Sequence, residues 1–132
     1  MFLDRRSGFD RRRALTGNAL AATWERSLLH LRDRTNVLVA VLLLANLLSI
    51  LDLLFTLWAL QNGAVEANPV MRGLLDASPA VAAAVKVGMV AALTALIFAF
   101  RRYRLMLATA VFVLLAFFFL VIYHSYGMIA LT

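Results

Sequence analysis

Three long apolar segments limit what this chain can fold into more than any other feature of its sequence. They cover about residues 37–60, 79–100 and 105–127, and each reaches the roughly 20 residues that a helix needs to cross a bilayer. Because lipid offers the backbone no hydrogen-bonding partner, segments of this kind must be helical. Of all residues, 64% are hydrophobic, which is well above the level of soluble domains. We therefore predict an all-α membrane protein built on a three-transmembrane-helix bundle.

The residues before the first span are more polar and divide into two parts. Residues 1–17 show no apolar period, which predicts a flexible arginine-rich cytoplasmic tail. Residues 18–34 repeat apolar side chains at helical spacing, Trp24 among them, and this predicts an N-terminal amphipathic interfacial helix. Asn18 is placed to act as its N-cap. Glu25 falls on another face than the apolar residues, as does the solvent-side His30.

The remaining residues, 35–132, are expected to form the three-helix transmembrane domain, with a short helix in the outer loop. Gly63 is placed to end the first span, as glycine often does at a helix C-terminus. Asn68 followed by Pro69 is typical of an N-cap and a first helical residue, so the short helix should begin there. Ser78, which also precedes a proline, should start the second span in the same way.

Basic residues flank the apolar spans unequally, and their distribution predicts the orientation of the protein. Eight arginines precede the first span and three lie at 101–104, against one in the loop at 61–78 and none after residue 127. By the positive-inside rule, this bias places the N-terminus in the cytoplasm and the C-terminus outside a bacterial inner membrane.

The net charge of +6 also bears on partners. Because the arginines lie beside apolar spans, we predict contact with anionic lipid head groups and no binding of nucleic acid. An alternative for the tail is an arginine clamp on a phosphate-bearing messenger such as a cyclic dinucleotide. The lipid interpretation is favoured because no predicted fold positions these arginines. The predicted head-group contacts are Arg5, Arg6, Arg11, Arg12, Arg13 and Trp24.

Polar residues recur within the first span, where a charge is costly. Asn46, Ser49, Asp52 and Thr56 are spaced by three, three and four residues, which puts them on one face of a helix. A charge at mid-helix costs about 2.5–3.5 kcal/mol on insertion scales, so a partner is expected. Lys86, the only lysine, lies at nearly the same depth in the antiparallel second span, and we predict that it pairs with Asp52. The alternative is that Lys86 snorkels to the interface.

Two further titratable side chains are predicted near the outer end of the bundle. Glu66 lies in the tight link between Gly63 and Asn68, where it either turns inwards to Lys86 or stays solvated. His124 lies near the outer end of the third span. Two carboxylates and an imidazole can shuttle a proton or hold a divalent ion. Lys86 would compete for the carboxylates, so no metal is predicted.

The polar pattern of the first two spans and their loop resembles that of a known family. The family is a prokaryotic group of small three-helix membrane proteins known as a domain of unknown function, in which an arginine-rich tail is also common. The resemblance covers about residues 37–126. It implies a shared polar constellation and an inward Glu66, and it implies no reaction. The residues that carry it are Asn46, Asp52-x-x-x-Thr56, Gly63-x-x-Glu66-x-Asn68-Pro69 and Lys86. With His124, the predicted buried polar network is Asn46, Asp52, Thr56, Glu66, Asn68, Lys86 and His124.

Small residues on the second span predict a contact with another helix. Ala84, Gly88 and Ala92 are spaced by four residues, and such a ridge lets two helices approach closely in lipid. The expected partner is a larger membrane complex or, through the same ridge, a second copy of the chain.

No catalytic or cofactor motif accompanies the polar network. The chain has no cysteine, no serine nucleophile beside a base, no glycine-rich phosphate loop and no His-x-x-x-His pair. We therefore predict no cofactor and favour a non-catalytic accessory or scaffold module. The runner-up is a proton- or cation-binding unit of an oligomeric transporter. An intramembrane enzyme that uses Asp52, Glu66 and His124 comes third.

Overall fold

The computed structural model describes residues 18–131 and forms five helices, without strands, in that range. Three of these helices, which begin at Thr35, Pro79 and Arg104, are long and apolar enough to cross a membrane. The prediction of an all-α membrane protein with three spans is therefore confirmed. The tail, with Arg5, Arg6, Arg11, Arg12 and Arg13, lies outside the described residues. The helices are α1 (Ala19–Asp33), α2 (Thr35–Gln61), α3 (Pro69–Ala77), α4 (Pro79–Ala99) and α5 (Arg104–Leu131).

The end of α2 is fixed by a glycine in the left-handed region of backbone space. Gly63 has a φ of 89°. Its amide donates to the carbonyl of Leu60 at 3.2 Å, and the amide of Ala64 donates to the carbonyl of Ala59 at 3.0 Å. This pair of bonds is the Schellman arrangement, which satisfies carbonyl groups that the last helical turn leaves free. The chain therefore reverses sharply after α2, as the sequence predicted.

Substitution of Gly63 by alanine tests this turn. Space is not the obstacle, because a Cβ at this position would meet nothing within 4 Å. A left-handed backbone costs an L-residue roughly 1–2 kcal/mol, so Gly63→Ala should lower the melting temperature of the purified protein in detergent. Gly73→Ala is the matched control, since Gly73 lies within α3 and is equally unobstructed. If the melting temperature of Gly63→Ala is no lower than that of Gly73→Ala, the positive φ is not required.

Side-chain caps start α3 and α4 but not α1. The Asn68 side chain accepts hydrogen bonds from two amides in the first turn of α3, and the Ser78 side chain accepts one from Val81 in α4. Asn18 precedes α1 as predicted, but its side chain makes no capping bond. Its backbone carbonyl accepts the first bonds of the helix instead.

An apolar core closes the end of the bundle that carries the turn at residues 101–104, which we call the arginine end. The helix α1 contacts both α2 and α5 there. The second half of its apolar face, with Leu28 and Leu31, is thus covered by protein, whereas Leu20 and Trp24 in the first half are exposed. The buried residues of this core are Leu28, Leu31, Leu38, Leu42, Ile97, Leu107 and Ala110.

Glu25 is buried at the arginine end, which the sequence did not predict. Its side chain was assigned to another face than the apolar one, yet only 5% of the residue is exposed. The Nε atom of Arg104, at the start of α5, donates to Glu25 Oε1 at 2.7 Å, and the terminal Nη2 donates to the same oxygen. This two-pronged ion pair ties α1 to α5.

Candidate functional site

Asp52 lies at the centre of a contact among all three spans. It is on α2 and only 3% exposed. Lys86, on α4, donates a hydrogen bond from its Nζ to Asp52 Oδ2 at 2.5 Å. On the other side, the Nδ1 of His124, on α5, lies 2.7 Å from Asp52 Oδ1. Each carboxylate oxygen thus faces one basic side chain.

The contact between His124 and Asp52 depends on a proton. A bare imidazole nitrogen and a carboxylate oxygen both present lone pairs, so they repel each other at 2.7 Å unless a proton lies between them. The present angles do not form a hydrogen bond, and both atoms are buried without another partner among the described residues. Either the neutral Nδ1–H tautomer or the imidazolium supplies that proton, so the geometry can hold one proton between His124 and Asp52.

Ser49 extends the same polar face one turn further into the bundle. The residue is only 1% exposed, and its hydroxyl has no hydrogen-bond partner within the described part of the chain. A buried polar group without a partner costs about 1–3 kcal/mol. Such groups concentrate where a protein does more than pack.

A cavity of about 640 Å³ adjoins this contact. Asp52, Lys86 and His124 all line it, together with the loop residues 64–68, so it lies at the opposite end of the bundle from the arginine end. We call it the loop-end cavity. Aromatic side chains supply much of its wall, namely Phe55, Trp58 and Tyr123. A concave, mostly apolar space of this size with a few convergent polar groups is typical of ligand sites.

Glu66 lines the loop-end cavity without pairing with Lys86. Its Oε1 accepts a hydrogen bond from the backbone amide of Asn68 at 2.9 Å, and its carbonyl accepts from Nε of Arg72 at 2.9 Å. No ion pair within 4 Å joins Glu66 to another described residue. The carboxylate therefore shapes the loop while facing the same cavity as Asp52.

Thr56 and Asn46, two other predicted members of the network, make hydrogen bonds within one helix or between two helices. Thr56 lines the cavity, and its hydroxyl donates to the Asp52 carbonyl at 2.8 Å. Asn46 lies deeper in the bundle and donates to the hydroxyl of Thr94 at 3.0 Å, which links α2 to α4. The Thr94 contact was not predicted, although a threonine among the small residues of α4 was the available signal.

A metal centre is not formed by the described residues: no group of three His, Asp or Glu side chains among residues 18–131 could hold an ion. The carboxylate nearest to His124 already engages Lys86. The chemistry that this arrangement supports is proton transfer and the recognition of a charged ligand.

Comparison with known proteins gives one match. A family described as a domain of unknown function, DUF5658, matches residues 37–130. That range contains all three spans and every predicted member of the polar network. No curated protein and no solved structure matches the chain.

Proposed function

The chain belongs to the DUF5658 family, and we propose that in this membrane protein Asp52, Lys86 and His124 form a proton-binding site. The observation that carries the proposal is the 2.7 Å approach of His124 Nδ1 to Asp52 Oδ1 beside the loop-end cavity. Histidine is the side chain whose charge ordinarily changes between about pH 5 and 8. A protonated His124 would donate to the oxygen of Asp52 that Lys86 leaves unused. Proton uptake then changes the summed charge of the three groups from zero to +1.

A purely structural role is less well supported. Replacement of a buried ion pair by apolar residues is often neutral or stabilising, so such a pair is a weak reason for stability. A scaffold would also gain from a filled interior, whereas here a cavity of about 640 Å³ adjoins the charges. Ionisable residues within a membrane generally mark ion or substrate pathways. These points favour the proton-binding unit over the accessory module that the sequence favoured.

Counting protons tests the proposal. The full chain in detergent is titrated from pH 8 to pH 5, and His124→Gln should take up about one proton fewer than the original protein. His30→Gln is the reference variant, because His30 is the histidine that lies exposed on α1, away from the loop-end cavity. A His124→Gln protein that takes up as many protons as the original would contradict the proposal.

An accessory role is the second candidate, supported by one specific feature. Ala84, Gly88 and Ala92 are exposed on α4, and a Cβ added at Gly88 would meet nothing within 4 Å. We propose that this ridge packs against a helix of a larger membrane complex or of a second copy. The intramembrane enzyme is not proposed, because the Glu66 carboxylate is held by the Asn68 amide rather than beside Asp52.

Orientation is part of the proposal and has its own prediction. The bias of arginines implies that the arginine end faces the cytoplasm and the loop-end cavity faces outwards from the inner membrane. Reporter domains fused at Gly17 and at Thr132 should therefore report opposite sides of the membrane. Signals from the same side would contradict the three-span topology.

A further inference from the structure

The charges that line the loop-end cavity do not cancel. Its titratable lining consists of Asp52, Glu66, Lys86, His124 and Tyr123. With a neutral imidazole and a neutral phenol, two carboxylates face one ammonium group, so the summed charge is −1. Lys86 Nζ forms an ion pair with Asp52 Oδ2 at 2.5 Å, so these two charges offset each other. The remaining negative charge belongs to Glu66.

The nearest other charges leave this excess in place. Arg72 donates to the carbonyl of Glu66 rather than to its carboxylate. Glu66, Arg72 and Asp76 all line a neighbouring pocket of about 480 Å³, in which the charges also sum to −1. The two spaces therefore share the negative charge of Glu66, and aromatic walls distinguish the loop-end cavity from its neighbour.

The walls of the loop-end cavity suit a bulky apolar ligand. Phe55, Trp58 and Tyr123 present aromatic rings, and Leu120 and Met128 complete the apolar lining. A cation over an aromatic face gains about 0.5–2 kcal/mol. The volume of about 640 Å³ lies within the range of sites for drug-sized molecules. Asp52, whose Oδ1 is buried and has no hydrogen-bond partner among the described residues, lines the same space.

We infer that the loop-end cavity binds a lipophilic organic cation with a single positive charge. An anion would meet the excess charge of Glu66, and a neutral apolar molecule would leave that charge uncompensated. A small hydrated inorganic cation would make no use of the aromatic walls. The inference rests on the proposed function, because the proton and the cation share one site.

Competition between the proton and the organic cation follows from the charge balance. When His124 takes up a proton, the summed charge of the lining rises from −1 to zero. The organic cation then loses its electrostatic attraction and keeps only its apolar contacts. Its affinity should therefore fall by at least about fivefold between pH 8 and pH 5.5, which corresponds to one unit charge about 4 Å away at the dielectric constant of water.

Equilibrium dialysis of the full chain in detergent tests this inference, with tetraphenylphosphonium as the probe. At pH 8 we expect saturable binding, with binding of tetraphenylborate, an anion of the same shape, and of neutral triphenylphosphine oxide at least fivefold weaker. Equal binding of either compound would mean that the cavity selects for apolar surface alone and would overturn the inference.

Two loop variants show which charge is responsible. Glu66→Gln should weaken tetraphenylphosphonium binding by about fivefold at pH 8. Asp76→Asn is the matched control, because it removes an acid that lines the neighbouring pocket only, and it should leave binding unchanged. Equal effects of the two variants would overturn the assignment to Glu66.

The inference and the proposed function fail in different experiments. A protein that takes up the His124 proton but does not bind tetraphenylphosphonium at pH 8 overturns the inference and leaves the proton site intact. A protein that binds the probe equally at pH 8 and pH 5.5 overturns the competition. Failure of the proton count alone overturns the proposed function.

Discussion

Lys86→Met is expected to destabilise the protein by about 3–5 kcal/mol, because it leaves the buried Asp52 without its partner. Asp52→Asn should cost less, because the Lys86 side chain is partly exposed. Asp52 Oδ2 and Lys86 Nζ are 2.5 Å apart, and the two side chains are 4% and 22% exposed. The double variant, Asp52→Asn with Lys86→Met, removes both charges and should lose less than either single change. Thermal unfolding in detergent, followed by circular dichroism, gives the three values.

The double-variant cycle separates pairing from independent roles. If the two single losses simply add, Asp52 and Lys86 do not interact in the folded protein. His124 also contacts Asp52, so His124→Gln is the useful comparison. It removes no permanent charge and should cost the protein less than Lys86→Met.

Arg104→Met is the second large expected effect, with a loss of about 3–5 kcal/mol, because it strands the buried carboxylate of Glu25. Removal of the Glu25 charge should destabilise the protein less. The Arg104 side chain is 26% exposed and that of Glu25 only 7%, so in Glu25→Gln the guanidinium can move towards the interface. We expect the loss in Glu25→Gln to be at most half of that in Arg104→Met.

Hydrogen exchange locates the effect of the Arg104 change. Because Glu25 lies on α1, the backbone amides of α1 should lose protection in Arg104→Met while those of α3 keep theirs. Arg102→Met is the matched control, since Arg102 belongs to the same turn but is exposed. If Arg102→Met lowers the protection of α1 by the same amount, the helix is held by the overall positive charge of the arginine end rather than by the ion pair between Glu25 and Arg104.

Local chemistry explains which parts of the fold could be predicted. Span length follows from bilayer thickness, and the turn after α2 follows from the one residue that tolerates a φ of 89°. The depth of Asp52 and of Lys86 could be counted from the helical rise alone. The structure places these two side chains in contact at 2.5 Å.

Contacts between distant segments could not be predicted in the same way. Glu25 and Arg104 are 79 positions apart, and no periodicity relates them until α1 folds against the bundle. The orientation of the Glu66 side chain depends on the hydrogen bond that it accepts from the Asn68 amide. The spacing of residues does not specify that bond. α5 also runs to Leu131, past the expected end at 127, since a glycine within a span, here Gly127, does not stop a transmembrane helix.

Nitrogen-15 NMR of the two histidines tests the central claim, that Asp52 and His124 share a proton, most directly. The Nδ1 resonance of His124 should respond to pH between 8 and 5 and should change when Asp52→Asn and Lys86→Met are combined. His30, exposed on α1, is the internal reference: its resonance should be the same with and without the double substitution. A His124 resonance that follows neither pH nor the loss of Asp52 would contradict the proton-binding site.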